Sequence, residues 1–309
     1  MTEIVIPRTD GPAWLPRWEA WRNLSFWGLL PAWLLMGFAL IVPILIVAAV
    51  SFATRGAHGG FTWDLNLDSY YKILFNEGWS GELEFTPQYL LVIWRTFLLA
   101  AATTILCLLL AVPVAYHIAR QAPQTKAILI YLVTLPFWVS MILRVYAWMV
   151  ILGKDGPLPR FLETFGFAPG TSFLFNDGAT LTAMVYTYMP LMVLPVFASI
   201  EKLDHTLIEA SHDLYGSRWT TLRRVILPLT APGIISGAIL VFVPALGAVL
   251  EPTLMGGGKQ MMMGSLIQLQ FGGGRDWPFG SAIAITLLVV VMLVLIAAAR
   301  RATVREAAK

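Results

Sequence analysis

The chain has 309 residues, of which 58% are apolar and 13% charged, with a formal net charge of +3 and a mean hydropathy of +0.72. A soluble domain carries about 25% charge and 45–50% apolar residues, so a cytosolic enzyme, a disordered chain and a fibrous chain are all excluded. One cysteine, Cys107, excludes a disulfide scaffold or multi-cysteine metal site, and four histidines without metal-ligand spacing make an embedded zinc or haem centre an unsuitable reading.

About 20 apolar residues cross a membrane core of about 30 Å. Six runs meet that length in chain order: Leu29–Ala53, Leu90–Ile118, Ala127–Leu152, Ala179–Ile200, Leu229–Met255 and Phe279–Ala299. The stretch ahead of the first, from Trp14 to Arg22, reads as an interfacial segment anchored by tryptophan. Prolines recur inside the runs (Pro43, Pro113, Pro136, Pro190, Pro195, Pro232, Pro244 and Pro252) and predict kinked helices. No repeat of 20–50 residues is visible. The division expected is an interfacial N-terminal segment at 1–28, a membrane domain at 29–300 and a short tail at 301–309.

Lys and Arg set the orientation. With the N-terminus inside, cytoplasmic segments hold Arg8, Arg17, Arg22, Arg120, Lys126, Lys202, Arg218, Arg223, Arg224, Arg300, Arg301, Arg305 and Lys309. The outer side holds only Arg55, Lys72, Lys154, Arg160, Lys259 and Arg275. Both termini are therefore expected inside. The first outer loop is acidic, with Asp64, Asp68, Glu77, Glu82 and Glu84; it reads either as a docking surface or as plain solvated chain. The last outer loop, Met261 to Gln268 between two glycine triplets, reads as a short amphipathic segment between hinges.

The cytoplasmic loop at 201–228 carries the most information. Its core reads Leu207-Ile208-Glu209-Ala210-Ser211-His212-Asp213-Leu214-Tyr215-Gly216-Ser217-Arg218-Trp219 and ends in Val225-Ile226-Leu227-Pro228. Glu209 and Asp213 stand four apart on one helical face, while Leu207, Ala210 and Leu214 line an apolar stripe. Gly216 permits a turn, three arginines follow, and Leu227-Pro228 restarts a helix at the membrane. Such a loop suits a soluble partner that takes an apolar-and-acid helix.

This segment resembles the EAA loop of permease subunits in binding-protein-dependent ABC importers. Leu135-Pro136-Phe137-Trp138, Leu143-Arg144-Val145-Tyr146-Ala147-Trp148, Leu254-Met255-Gly256-Gly257 and Arg275–Ala282 look like the spermidine/putrescine-type branch. The resemblance implies an all-α, six-span permease of type I architecture, with no catalytic residue and no metal of its own. Its implied partners are two ATP-binding cassette subunits that use ATP and Mg, a second, paralogous permease subunit and an extracytoplasmic substrate-binding protein. The setting implied is a bacterial inner membrane, with no nucleic acid involved. Coupling to the ATPase would fall to Glu209, Ala210, Ser211, Asp213, Leu214, Tyr215, Gly216, Arg218, Leu227 and Pro228. Two departures stand out. Ser211 replaces the second alanine, and Tyr215 holds the place where the family has glycine, so the turn is expected to shift to Gly216.

Three charges fall inside the runs, and a lone charge in hydrocarbon costs several kcal/mol. On straight helices Arg95, Arg144 and Glu251 lie about 8, 12 and 6 Å below the outer surface. Arg95 is expected to snorkel outward. Arg144 and Glu251 read either as a structural ion pair or as pathway groups. A polyamine or related small amine would want carboxylates and aromatic faces, and Trp138, Tyr146, Trp148, Tyr186 and Tyr188 are available. The polyamine branch often has an acid just before Leu-Met-Gly-Gly. Thr253 stands there, with Glu251 two residues earlier, which allows a smaller or zwitterionic amine. The rival reading is an ATP-independent transporter or channel for small amines. It predicts inverted repeats or several buried titratable groups, and the sequence displays neither.

Overall fold

The computed structural model describes residues 18–77, 83–166, 170–258 and 261–307. The expected anchors Trp14 to Arg17, together with Glu82 and Lys259, lie outside the described residues, as does the end of the tail. The chain divides into two units at Val50/Ser51. The first contains nearly all of α1 (Trp18–Ser51), a single helix of 34 residues with Pro31 and Pro43 inside. Its stretch Leu29–Ser51 is long and apolar enough to cross a membrane.

The second unit opens with paired short strands and one turn of helix: β1 (Thr54–Arg55), β2 (Phe61–Thr62), α2 (Asp68–Tyr71), β3 (Phe75–Glu77) and β4 (Leu83–Phe85). β1 pairs antiparallel with β2 (Thr54 opposite Thr62), and β3 with β4 (Asn76 opposite Glu84). Helices follow: α3 (Gln88–Ala119), α4 (Pro123–Trp138), α5 (Met141–Leu152), α6 (Pro157–Glu163), α7 (Asp177–Glu201), α8 (His205–Asp213) and α9 (Arg218–Thr221). A π-helical turn at Leu222–Ile226 leads into α10 (Leu227–Leu229), α11 (Ala231–Leu246), α12 (Leu250–Leu254), α13 (Met263–Phe271) and α14 (Trp277–Ala307).

The core is a three-helix packing of α3, α7 and α11. Small residues make it close: Ala100, Cys107, Ala111 and Ala115 are fully buried along α3. On α11, Gly233 sits so near α7 that a Cβ there would lie 2.5 Å from the Pro195 carbonyl oxygen. Between apolar lipid tails, this kind of backbone approach is what holds membrane helices together.

Among the described residues, four helices have the length and composition to cross a membrane, in α1, α3, α7 and α14, and two further crossings would each need a bent pair. The kinks expected at proline are sharp bends in the third and fifth runs. The third apolar run turns by 93° between α4 and the α5–α6 segment. Pro136 lacks an amide donor and crowds the preceding turn, and Val139 and Ser140 then leave the helix in extended conformation. The fifth run bends by 72° between Arg218–Leu229 and Ala231–Leu246, where Pro228 and Pro232 each remove a backbone donor. A second break at Gly247–Val249 separates α11 from α12. Depths reckoned along straight helices therefore do not apply to Arg144 or Glu251.

The first outer loop is tied to the turn before α14. Lys72 Nζ and Arg55 Nη1 stand 3.5 and 4.0 Å from the Asp276 carboxylate, and Arg55 also donates to the Gly274 carbonyl. The same carboxylate accepts from the Phe279 amide, capping α14. The segment α13 is no free hinge-bound strip: Met263 and Leu266 are buried against Phe279 and Ile283 of α14.

Candidate functional site: a cytoplasmic docking segment and a buried charge cluster

The cytoplasmic segment is built from two short helices joined by a tight turn. Asp204 caps α8 by accepting from the Thr206 amide, and Ser217 caps α9 by accepting from the Thr220 amide. At the end of α8 the Gly216 amide donates to the Ser211 carbonyl at 2.8 Å and the Tyr215 amide to the His212 carbonyl at 2.9 Å. These two bonds are the Schellman closure of a helix.

The residue in left-handed conformation is Tyr215, with φ of 58°. The turn has therefore not shifted. Tyr215 takes the conformation that glycine would adopt freely, at a cost of about 1–2 kcal/mol. Gly216 is required for a different reason: a Cβ there would lie 2.5 Å from the Ser211 carbonyl oxygen and 2.7 Å from its Oγ. That Oγ is in turn 2.9 Å from Thr221 Oγ1, and His212 Nδ1 is 3.1 Å from the Gly216 carbonyl. Ser211, the departure from the double alanine, is thus the link between α8 and α9.

What the segment presents outward is apolar. Tyr215 is 99% exposed, Leu214 83% and Trp219 69%. Glu209, Ala210, Asp213, Arg218 and Pro228 are exposed beside them, and Leu227 is half-buried. Exposed aromatics at a rigid tip, rimmed by charge, have the composition of a contact surface.

The second cluster gathers Arg144 from α5, Thr187 and Tyr188 from α7, and Glu251 from α12. Glu251 is fully buried and Arg144 is 8% exposed. Thr187 lies beside the Glu251 carboxylate, with Arg144 and Tyr188 as near neighbours. Yet neither Glu251 oxygen, nor Arg144 Nε or Nη1, closes a hydrogen bond among the described residues. No ion pair joins the two side chains there within 4.0 Å. Val145, Leu152, Ala183 and Met255 wall the cluster with apolar surface. Of the aromatics, Trp148 packs edge-on against Tyr186, with centroids 5.6 Å apart. Trp138 at the α4–α5 corner and Tyr146 are exposed, 80% and 52%, and are not gathered with the charges.

Arg95 reaches a partner rather than open water. Its guanidinium pairs with the Asp177 carboxylate at the start of α7, and Nη1 donates to the Met261 carbonyl at 3.5 Å. Asp177 and Thr187 were not singled out from sequence. Asn176-Asp177 ahead of an apolar run is a visible helix-start signal, but its contact to Arg95 spans 82 residues.

Residues 25–308 match the family described as binding-protein-dependent transport system inner membrane component. The chain belongs to that family. As a binding-protein-dependent permease it is 36% identical over 265 residues to the spermidine/putrescine transport system permease protein PotB of Haemophilus influenzae, covering 85% of this chain and 88% of that protein. It is likewise 36% identical over 258 residues to PotB of Escherichia coli K12, covering 83% of this chain and 90% of that protein. Among solved structures, a bacterial alginate ABC transporter in complex with its alginate-loaded periplasmic protein superposes with a TM-score of 0.71. That match covers 91% of this chain and 94% of that one at 15% identity, a likeness of fold. By its family the permease is a non-catalytic inner-membrane component of a binding-protein-dependent transport system.

Proposed function

We propose that this permease forms the translocation path for polyamines, spermidine or putrescine, or a related small amine, in an ATP-driven importer. The observation that carries the substrate class is the 36% identity to two PotB proteins over more than four fifths of the chain. The assembly we propose has two ATPase subunits binding ATP and Mg, a second permease that is a paralogue of this one, and an extracytoplasmic binding protein. In it the bent pairs α4–α5 and α9–α11 count as one span each, giving six, with both termini cytoplasmic, an orientation the Lys and Arg distribution supports.

The segment from Glu209 to Pro228 is the proposed coupling element. Leu214, Tyr215 and Trp219 would enter a groove of the ATPase, with Glu209 and Asp213 facing its cations. The Schellman turn makes this tip stiff, so closure of the ATPases moves α8 and α9 as one body. The π-helical turn and α10 then lead that motion into α11, part of the three-helix core. Arg144, Tyr188 and Glu251 are proposed as a gate on the path. Two unmatched buried charges cost several kcal/mol, so a state that brings them together, or places a cation beside Glu251, is favoured over the open arrangement. Trp148 and Tyr186 would add aromatic faces to the same path, with Trp138 and Tyr146 turned toward a neighbouring subunit.

Uptake of labelled spermidine and putrescine into proteoliposomes holding the complete importer tests the reading. ATP-dependent uptake that Glu209→Lys abolishes, with the variant still inserted, is the expected result. Uptake that persists without the ATPase would favour an ATP-independent transporter, and normal coupled uptake by Glu209→Lys would remove Glu209 from coupling.

A further inference from the structure

A groove of about 1290 Å³ opens where the inner half of α3 meets the cytoplasmic segment. Its wall changes character along its length. Leu108, Leu109, Val112 and Pro113 line the end inside the membrane-spanning helix, and Arg120 and Arg218 line the other end. Tyr116 lies at the join, and Arg120 lies over its ring at 5.4 Å. Such aromatics are the residues that settle at a membrane–water boundary.

We propose that this groove binds one anionic phospholipid of the inner leaflet, its acyl chain along α3 and its headgroup phosphate between Arg120 and Arg218. Three features select this occupant. The twelve residues from Leu108 to Arg120 rise about 18 Å along a helix, close to one leaflet's share of a core of about 30 Å plus the headgroup level. The apolar end is continuous with the exposed apolar surface of α3, where Leu109 is 64% exposed. The polar end holds two guanidiniums against one carboxylate, Glu209, and neither arginine has a carboxylate within 4.0 Å among the described residues. That imbalance fits an anion and disfavours a zwitterionic headgroup. Basic pockets at the cytoplasmic ends of membrane helices recognise anionic lipids in this way.

The test is native mass spectrometry of the assembled, delipidated importer titrated with phosphatidylglycerol and, separately, phosphatidylethanolamine. One tightly held phosphatidylglycerol per copy of this chain is expected. Arg120→Gln and Arg218→Gln should each weaken it about fivefold and together about thirtyfold, since each basic residue near an anionic surface contributes roughly one such factor. Val112→Phe, which narrows the apolar end and leaves the charge alone, should also displace the lipid. Arg120→Lys should retain most of the affinity and so separates charge from fold. Equal retention of the two lipids, or undiminished phosphatidylglycerol binding in the double variant, would overturn the proposal. So would binding by the isolated chain that vanishes on assembly, because a protein partner would then own the groove.

Discussion

Tyr215 offers a test in which stability and coupling move in opposite directions. Replacing it with glycine removes a side chain held at φ of 58°. The left-handed conformation costs an L-residue about 1–2 kcal/mol, and glycine returns about 0.5–1 kcal/mol through its larger entropy loss. The net gain for the turn is roughly 0.5–1 kcal/mol. Nothing in the chain itself is lost, since Tyr215 is 99% exposed. Hydrogen exchange at the Gly216 amide, which donates to the Ser211 carbonyl, should slow by about two- to fivefold. If Tyr215 is buried in the ATPase, the same change forfeits about 1.5–3 kcal/mol of apolar contact, and ATPase affinity should fall by about ten- to a hundredfold. Tyr215→Ala keeps the left-handed strain and should lose affinity without gaining protection. Faster exchange in Tyr215→Gly would refute the account of the turn. Unchanged ATPase affinity in both variants would remove Tyr215 from the contact.

Other outcomes follow from the same geometry. Arg144→Leu and Glu251→Gln each remove one charge that is buried without a hydrogen bond, and the double variant should depart from the sum of the two singles by about 0.5–3 kcal/mol if the two groups act on each other. Thermal unfolding of the single and double variants checks this, and simple additivity would dissolve the cluster. Gly233→Ala should cost about 1–3 kcal/mol, because its Cβ would meet the Pro195 carbonyl and force α11 off α7; an unchanged melting temperature would contradict so close an approach. Arg95→Asp and Asp177→Arg should each destabilise the protein by about 1 kcal/mol, as for a half-exposed pair, seen as a small fall in the melting temperature. The double exchange should restore it if the pairing is real. Asp276→Ala should loosen the first outer loop, seen as faster proteolysis between β1 and α2, since Arg55, Lys72 and the α14 cap all converge on that carboxylate.

Much of this molecule is legible in its sequence, and the failures share a cause. The second and fourth apolar runs reappear as α3 and α7 with ends moved by one or two residues, because run length and composition are local properties. In the third and fifth runs the prolines announce a kink, but hydropathy counts residues and is blind to direction, so the size of each bend is not legible there. Pro136 marks the danger, but the turn falls three to four residues later, at Val139 and Ser140. The same limit affects Arg95, whose partner is far along the chain. At Tyr215 the sequence suggested a displaced turn, since glycine is the easy left-handed residue. The backbone kept its register and placed the strain on tyrosine, because Gly216 was already needed for its closeness to Ser211.

The corner at Val139–Ser140 also bears on how the chain enters the bilayer. Helix α4 is about 24 Å long and α5 about 18 Å, so neither crosses the hydrocarbon alone. Their facing ends leave amides and carbonyls without intrahelical partners, and each such group exposed to lipid costs several kcal/mol. A newly made third segment, alone in the membrane, is therefore better off straight, as one continuous helix. Pro136 primes the corner, and the packing of α7 against α4 then favours the right angle over the straight form. Bending is then a late event of biogenesis, and a chain halted by the ribosome before α7 should report a plain spanning helix where the finished protein has an elbow.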